Sequence, residues 1–177
     1  MPDIIIRALT RTDDRSSFSS GDIELDRFFK CYAGQNQFKH HLGTTYVAEN
    51  NNGTISGYVT VSAGHIETEH LSAKLKKGLP SYPLPVLRIA RLAIDERYKG
   101  QGIGQTLLKA MFELSVRMKD EFGCTGVVVD AKLKAIPFYQ KYGFISIDVE
   151  VGNLNQKPTP QPMFLSIKAI IQAMNLS

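Results

Sequence analysis

Residues 91–116 read RLAIDERYKGQGIGQTLLKAMFELSV, and this stretch decides how the rest of the chain is organised. An apolar run leads into Lys99-Gly100-Gln101-Gly102-Ile103-Gly104, and an amphipathic pattern follows. The closely spaced glycines allow the backbone to turn sharply and to approach a ligand closely. The amphipathic pattern predicts a helix, whose first N–H groups lack intrahelical partners and lie at the positive end of its dipole. A strand, a tight turn and a helix in this order predict a site for a phosphate or pyrophosphate.

Glycine turns also connect strands to helices without binding a ligand, and that simpler interpretation is left open by the turn alone. Two known phosphate-binding patterns do not fit. No Gly-x-x-x-x-Gly-Lys-Ser/Thr string occurs, so the chain has no P-loop. The dinucleotide fingerprint fails at its last glycine, because Gln105 stands there.

Composition places the chain among ordinary globular proteins. It has 177 residues, of which 43% are hydrophobic and 21% charged, so a single domain over residues 1–177 is predicted. No apolar run approaches the ~20 residues of a membrane span, and the start MPDIIIRALT is not a signal peptide; both favour the cytoplasm. The net charge of +4 permits an anionic partner without requiring one. Cys31 and Cys124 lack metal-ligand spacing, so no metal is expected and each is predicted to be a buried thiol.

Hydrophobic periodicity predicts a mixed α/β fold. Strands are predicted at residues 4–9, 44–49, 55–63, 86–94, 125–130, 144–151 and 163–167, and helices at residues 22–38, within 65–80, after the glycine turn and up to Gly143. The basic run Lys39-His40-His41 with Gly43 is typical of a helix end. Residues 168–177 are predicted to form an extra C-terminal tail.

Basic residues at two places in the sequence suggest contacts with negatively charged groups. Arg88 and Arg91 are three apart in a predicted strand, so they point to opposite faces: one fits a structural ion pair, and the other could face a charged ligand. Lys74, Lys76 and Lys77 are most simply a solvated face, although such lysines also hold polyanions through sequence-independent phosphate contacts.

Two motifs resemble those of the GNAT acetyltransferase superfamily. The run from Lys99 to Gly104 is similar to its pyrophosphate loop, in which Arg or Gln is followed after two residues by Gly-x-Gly/Ala; Lys99 departs from that pattern but keeps the charge of Arg. Ala135-Ile-Pro-Phe-Tyr-Gln-Lys-Tyr-Gly-Phe144 resembles the second signature, where Phe-Tyr lies on a helix and Gly-Phe follows. The resemblance covers nearly the whole chain, because the two motifs lie in the family's order with its elements between them.

The resemblance implies a fold, a cofactor and a set of cofactor contacts. The fold would have a central, mixed, mostly antiparallel sheet of six to seven strands, flanked by about four helices and split between strands 4 and 5. Acetyl-CoA would lie in that split, beside the strand ending at Ile94 and the strand 125–130. Its pantetheine arm would pair with the backbone of Leu92, Ala93 and Ile94. Its pyrophosphate would be bound by the amides of Lys99, Gly100, Gln101, Gly102, Ile103 and Gly104, together with Gln105.

The expected chemistry also needs an acid. An amine attacks the thioester carbonyl, and the thiolate that leaves must receive a proton, which a tyrosine hydroxyl can give. The resemblance places Tyr139 near the thioester sulfur; Tyr142, three residues further along the same predicted helix, is the competitor. Asp130, Glu67 and His65 are candidates for a general base by position only, and water is a sufficient alternative.

One subgroup resembles the chain more closely, namely the GNAT toxins of bacterial toxin–antitoxin pairs. The matching phrases are SGDIELDRFF, TTYVAE, LKKGLPSYPLPV and ARLAID. The resemblance implies acetylation of the α-amine of aminoacyl-tRNA, blocked translation and a small antitoxin partner; a homodimer is left open. Acceptor-binding candidates are Arg88, Arg91, Lys74, Lys76 and Lys77, with Lys30 and Lys39 beside them. The alternatives are an acetyltransferase of a small amine or protein N-terminus, and a non-catalytic CoA-binding module.

Overall fold

The computed structural model describes residues 3–147 and 160–175. Its strands are β1 (Ile5–Ala8), β2 (Thr44–Glu49), β3 (Ile55–Ile66), β4 (Leu84–Ile94), β5 (Gly126–Ala131), β6 (Ile145–Ser146) and β7 (Gln161–Ser166). Its helices are α1 (Ile23–Arg27), α2 (Ala33–Phe38), α3 (Ala73–Lys76), α4 (Ile103–Glu121), α5 (Ile136–Lys141) and α6 (Ile167–Asn175). A π-helical turn at Phe28–Tyr32 joins α1 to α2.

The strands are ordered β1-β2-β3-β4-β5-β7-β6 in one sheet. Pairing is antiparallel for β1 with β2, β2 with β3, β5 with β7 and β6 with β7, whereas β4 and β5 are parallel. This confirms the predicted mixed, mostly antiparallel sheet. The chain forms two compact units: the first runs to Ser62 and includes Ile89–Met111, and the second comprises Ala63–Arg88 and the chain from Phe112.

Aromatic side chains build the core of the first unit. The Tyr58 ring on β3 stacks on Phe29 at a centroid distance of 4.4 Å, and Phe18 meets the edge of Phe29 at 4.8 Å. The Tyr58 hydroxyl donates a hydrogen bond to the Leu25 carbonyl at 2.7 Å, so the buried polar tip is satisfied. Burial raises the pKa of Tyr58 well above its ordinary value. These contacts attach the N-terminal helical segment to the sheet.

That helical segment agrees with the helix predicted for residues 22–38, apart from its π turn. Asp22 caps its start by accepting hydrogen bonds from the amides of Glu24 and Leu25. The Ala33 amide donates to the Phe28 carbonyl, which is the i→i−5 bond of a π helix. Phe28 and Phe29 are both buried there.

The helical segment ends at Phe38, as predicted. His41, and not Gly43, takes the left-handed conformation, with φ of 54°. Gly43 is required for space, because a Cβ atom there would lie 2.6 Å from the Val61 carbonyl oxygen. The sequence pattern therefore located the helix end correctly.

A mostly aliphatic cluster forms part of the core of the second unit. It consists of the buried residues Ile66, Leu71, Leu84, Val86, Val128, Ile147 and Phe164. β4 begins at Leu84, two residues before the predicted start, and Pro85 fits the strand because its carbonyl accepts from the amide and hydroxyl of Thr125, each at 2.8 Å. A proline keeps this acceptor although it has no N–H.

The C-terminal elements differ in extent from the predicted ones. β6 and β7 cover parts of the two last predicted strands; Phe144 and Ile147 flank β6, and residues 148–151 of that predicted strand lie outside the described ranges. Most of the predicted tail belongs to α6, where the Ala169 amide donates to Ser166 Oγ and Ile170 is buried. Cys124 is buried as expected, but the prediction for Cys31 is wrong, because it is exposed on the π turn. Within the described ranges, no helix is long and apolar enough to span a membrane.

Candidate active site residues

The glycine turn ahead of α4 is the candidate phosphate-binding loop. Gly100 and Gly102 have φ of 79° and 80°, which L side chains rarely adopt. A Cβ atom at either position would meet nothing within 4 Å, so the requirement for glycine comes from the backbone and not from crowding. The first α4 ladder bond runs from the Thr106 amide to the Gly102 carbonyl at 3.1 Å. The amides of the preceding helical residues therefore lie outside the ladder, as an anion site at a helix start requires.

The strand that leads to this loop packs tightly against β3. Gly57 leaves room for it: a Cβ atom there would lie 3.1 Å from the Ala93 carbonyl oxygen and 3.0 Å from Ile94 Cδ1. The same atom would lie 3.1 Å from Ile103 Cγ2 at the start of α4. The first unit contains Leu92, Ala93 and Ile94 as well as the loop from Lys99 to Gln105. The structure brings these predicted cofactor contacts into one unit.

Asp95, at the corner between β4 and the loop, is a buried carboxylate. Its side chain is 1% exposed and accepts hydrogen bonds from the amides of Ser19 (3.2 Å) and Arg97 (2.9 Å). The Arg97 guanidinium donates two more, each at 2.9 Å. Burial raises the pKa of Asp95, but the hydrogen bonds outweigh it and hold this pKa below its ordinary value. Sequence reasoning missed this residue; an Asp two positions before a basic residue in a turn was its only local signal.

Lys99 uses its side chain within the protein. Its Nζ donates to the Ser20 carbonyl at 2.7 Å. This use of the side chain is compatible with the predicted pyrophosphate contact, which involves the backbone amide of Lys99. In the same corner, the Glu96 amide donates to the Ser19 carbonyl at 2.8 Å.

Tyr139 lies on α5 in the second unit. Pro137 occupies the first turn of that helix, and Gly143, with φ of 94°, follows its end as predicted. The residue is 3% exposed, and its ring meets the edges of Phe138 and Phe144 at 5.1 and 5.4 Å. Burial raises the pKa of Tyr139, so the phenol stays protonated at neutral pH.

The Tyr139 hydroxyl makes no hydrogen bond to any described residue, and its oxygen is not completely buried. It therefore remains available to an incoming group, as a proton donor must be. The competitor Tyr142 is half-buried, and its ring packs against Phe138 at 5.2 Å.

The predicted basic residues have different surroundings. Arg88 on β4 forms an ion pair with Asp130 on β5. Asp130, one of the three candidate general bases, is therefore already engaged. Arg91 lies 3.7 Å above the Phe28 ring, a cation–π contact in the first unit. The two arginines thus contact different elements, in agreement with the strand spacing. Lys74, Lys76 and Lys77 are exposed, at the short helix capped by Ser72 and just beyond it.

The class of protein follows from comparison with known families. The model of the acetyltransferase (GNAT) domain matches residues 41–146, which is more than half of the chain. The chain therefore belongs to the GNAT acetyltransferase family, and this confirms the predicted family and class of enzyme.

Within that family, the similarity extends to tRNA-modifying toxins. The tRNA-acetylating toxin of Mycobacterium tuberculosis (strain ATCC 25618 / H37Rv) is 27% identical over 139 residues, which cover 78% of this chain and 82% of that protein. A solved structure of AtaT complexed with acetyl-methionyl-tRNAfMet is 27% identical with a TM-score of 0.83, covering 97% of this chain and 99% of that one. A tyrosine-to-phenylalanine variant of AtaT, bound to the C-terminus of the antitoxin AtaR and to acetyl-CoA, is 25% identical with a TM-score of 0.76; 98% of this chain and 99% of that one are covered.

Proposed function

We propose that this chain transfers an acetyl group from acetyl-CoA to the α-amine of an aminoacyl-tRNA and so blocks translation. The observation that carries the proposal is the similarity, over most of both chains, to an enzyme named for acetylating tRNA. The glycine loop and the buried tyrosine support it, because they are the parts that the reaction needs. We also propose that the chain acts as one domain in the cytoplasm, where charged tRNA occurs.

The chain's own groups fit the cofactor. Amides from Lys99 to Gly104, with Gln105, would bind the pyrophosphate at the positive end of the α4 dipole. The backbone of Leu92, Ala93 and Ile94 would hold the pantetheine arm. Bound acetyl-CoA supplies the thioester whose carbonyl carbon the amine attacks and whose thiolate leaves.

Tyr139 is the proposed general acid. Its phenolic O–H would give its proton to the departing thiolate sulfur, and the tyrosine regains a proton from solvent in the next cycle. The attacking amine must be neutral and loses one proton once the new C–N bond forms. Asp130 is engaged by Arg88, so we assign that proton to water.

Direct acetyl transfer tests the proposal. The purified chain would be incubated with radiolabelled acetyl-CoA and a full set of charged tRNAs, and label would be sought in N-acetylaminoacyl-tRNA. Free amino acids, polyamines and peptides with free N-termini would be matched acceptors. Labelling of a charged tRNA but not of the free amino acid is the expected result.

The alternative outcomes are distinct. Labelling of a small amine or peptide with no charged tRNA modified would replace the proposed acceptor. Acetyl-CoA binding without transfer to any acceptor would indicate a non-catalytic module instead.

We further propose a small antitoxin protein as partner, on the strength of the AtaT structure that contains the C-terminus of AtaR. The product of the neighbouring reading frame would be co-expressed with the chain. Co-purification with loss of acetyl transfer is expected; active enzyme that fails to bind that product would contradict this assignment.

A further inference from the structure

The corner that leads into the candidate pyrophosphate loop is attached to a segment distant in sequence. The Asp95 carboxylate and the Glu96 amide both bond to the backbone of Ser19. Four residues after Asp95, the Lys99 ammonium bonds to the Ser20 carbonyl. Three contacts thus join Asp95–Lys99 to Ser19–Ser20, about 76 to 79 positions away in the sequence.

Ser19–Gly21 is itself fixed, so it can serve as a support. Ser20 is buried, and both its amide and its hydroxyl donate to Asp26 Oδ1 on α1, at 2.9 and 2.6 Å. Gly21 has φ of 89°, and a Cβ atom there would lie 2.5 Å from Glu96 Oε1. The segment therefore lies directly against the corner and is tied to a helix on its other side.

The opposite side of the corner is held by the sheet. The Asp95 amide donates to the Ser56 carbonyl on β3 at 2.9 Å, and the Tyr98 amide donates to the Asp95 carbonyl at 2.9 Å. Asp95 thus bonds to β3, to Ser19 and to its own turn. A carboxylate suits this place because it can accept several hydrogen bonds at once.

We infer that Asp95 is a positioning residue for the acetyl-CoA site, which sets the loop amides by tying the loop entrance to the Ser19–Gly21 segment. This inference rests on the proposed role of the loop. Asp95 acts through the loop and not by contact with the reacting atoms. Its loss should therefore weaken acetyl-CoA binding and leave the chemical step almost intact.

The test is Asp95→Asn, which keeps the shape but replaces one acceptor oxygen by an NH₂ group that cannot accept from Ser19 or Arg97. We expect about a tenfold rise in the KM and Kd for acetyl-CoA, with kcat at saturation almost unchanged. The affinity would be measured by calorimetry and the rates with a saturating acceptor. Arg97→Gln removes the guanidinium contacts with Asp95 and the Tyr98 ring but keeps the bond from the Arg97 amide, so it should give a smaller rise.

The matched control is Asp13→Asn. Asp13 resembles Asp95 in its contacts but lies at the sheet edge, away from the loop. It accepts two hydrogen bonds from the Arg7 guanidinium and one from the Thr10 amide. Its substitution should leave acetyl-CoA affinity unchanged. A merely structural role for Asp95 would make the two variants alike once both are shown to be folded.

The outcomes separate the two proposals. A wild-type chain that does not bind acetyl-CoA would overturn the proposed function together with this inference. If wild type and Asp95→Asn bind acetyl-CoA with the same affinity, the inference is overturned and the proposed function stands. The same holds if Asp95→Asn lowers kcat without changing the affinity for acetyl-CoA. If Asp95→Asn does not fold, Lys99→Met decides, because it removes the Ser20 contact and keeps the loop amides; unchanged affinity in that variant would equally refute the inference.

Discussion

A tyrosine that must give up a proton has to remain protonated until the reaction needs it. The buried ring of Tyr139 meets that demand, since burial raises its pKa. The sequence motif predicted Tyr139 itself, because the residues that define the motif, such as Phe138 and Gly143, lie close to Tyr139 in the sequence. Asp95 could not be predicted in this way, since its partner Ser19 lies 76 positions away and only folding brings the two together.

Tyr139→Phe should lower kcat by about a hundredfold or more, because general acid catalysis is typically worth that much. The affinity for acetyl-CoA should change little, since the phenol hydroxyl is not assigned to cofactor binding. Steady-state rates with a charged tRNA acceptor, and calorimetry with acetyl-CoA, would measure the two effects.

Tyr142→Phe is the matched control for that substitution, three residues further along and directly after the end of α5. It should retain nearly the full rate. A wild-type rate for Tyr139→Phe, or a larger loss for Tyr142→Phe, would transfer the acid role away from Tyr139.

Asp13 should make stability depend on pH in the acid range. The hydrogen bond from Arg7 lowers the pKa of Asp13 from 3.8 to about 2. The unfolded state therefore binds the proton first, and the stabilisation is present above pH ~4 and lost as pH falls towards 2. Urea unfolding of wild type and Asp13→Asn should differ by about 1–2 kcal/mol at neutral pH and converge near pH 2.

Asp120→Asn is the comparison for this effect. Asp120 pairs with Lys119 on the surface, and exposed pairs contribute little. Its substitution should shift the unfolding midpoint only slightly at either pH. A gap between wild type and Asp13→Asn that stays constant down to pH ~2 would contradict the ion-pair account.

Elements with strong periodicity were predictable, and their interruptions were not. The α4 helix and the β2–β3 hairpin follow from apolar spacing and from glycines at their ends. The π turn at Phe28–Tyr32 has no such signal, because the apolar residues Phe28, Phe29 and Tyr32 keep ordinary helical spacing through it. The sequence predicts a tail where α6 forms, because this helix is short and follows directly after a strand.

Gly102→Ala should harm the loop through its backbone conformation alone. The open space around Gly102 means that no clash arises, while the positive φ costs an alanine about 1 kcal/mol. Relaxation of that strain would displace the amides that bind the pyrophosphate, so acetyl-CoA affinity should fall several-fold. Thermal unfolding and calorimetry would record both effects.

Gly53→Ala is the control at the level of elements. Gly53 has φ of 76° in the β2–β3 turn, and its nearest neighbour for a Cβ atom lies at 3.8 Å. A similar loss of stability without a change in affinity is expected. Equal losses of acetyl-CoA affinity in the two variants would show that the loop has no special part in binding.

For the whole molecule, charge was informative about partners but not about where they bind. The net charge of +4 permits a polyanion, and the exposure of Lys74, Lys76 and Lys77 is compatible with phosphate contacts. Arg88 and Arg91, by contrast, already have an ion pair and an aromatic partner. The three lysines are therefore the sharper place to test how the proposed tRNA acceptor is held.

Simultaneous replacement of Lys74, Lys76 and Lys77 by Gln should weaken charged tRNA and reduce the salt dependence of its binding. Each lost phosphate contact lowers the slope of log K against log salt concentration by ~0.7–0.9, so a decrease of about two is expected if most of the three contribute. Lys109, Lys119 and Lys168 replaced together lower the net charge equally and serve as the control. An identical salt slope in both triple variants would mean that the surface formed by Lys74, Lys76 and Lys77 does not contact the acceptor. A lower slope in the Lys74, Lys76 and Lys77 variant alone, with acetyl-CoA affinity unchanged in both variants, would place the tRNA backbone at this surface.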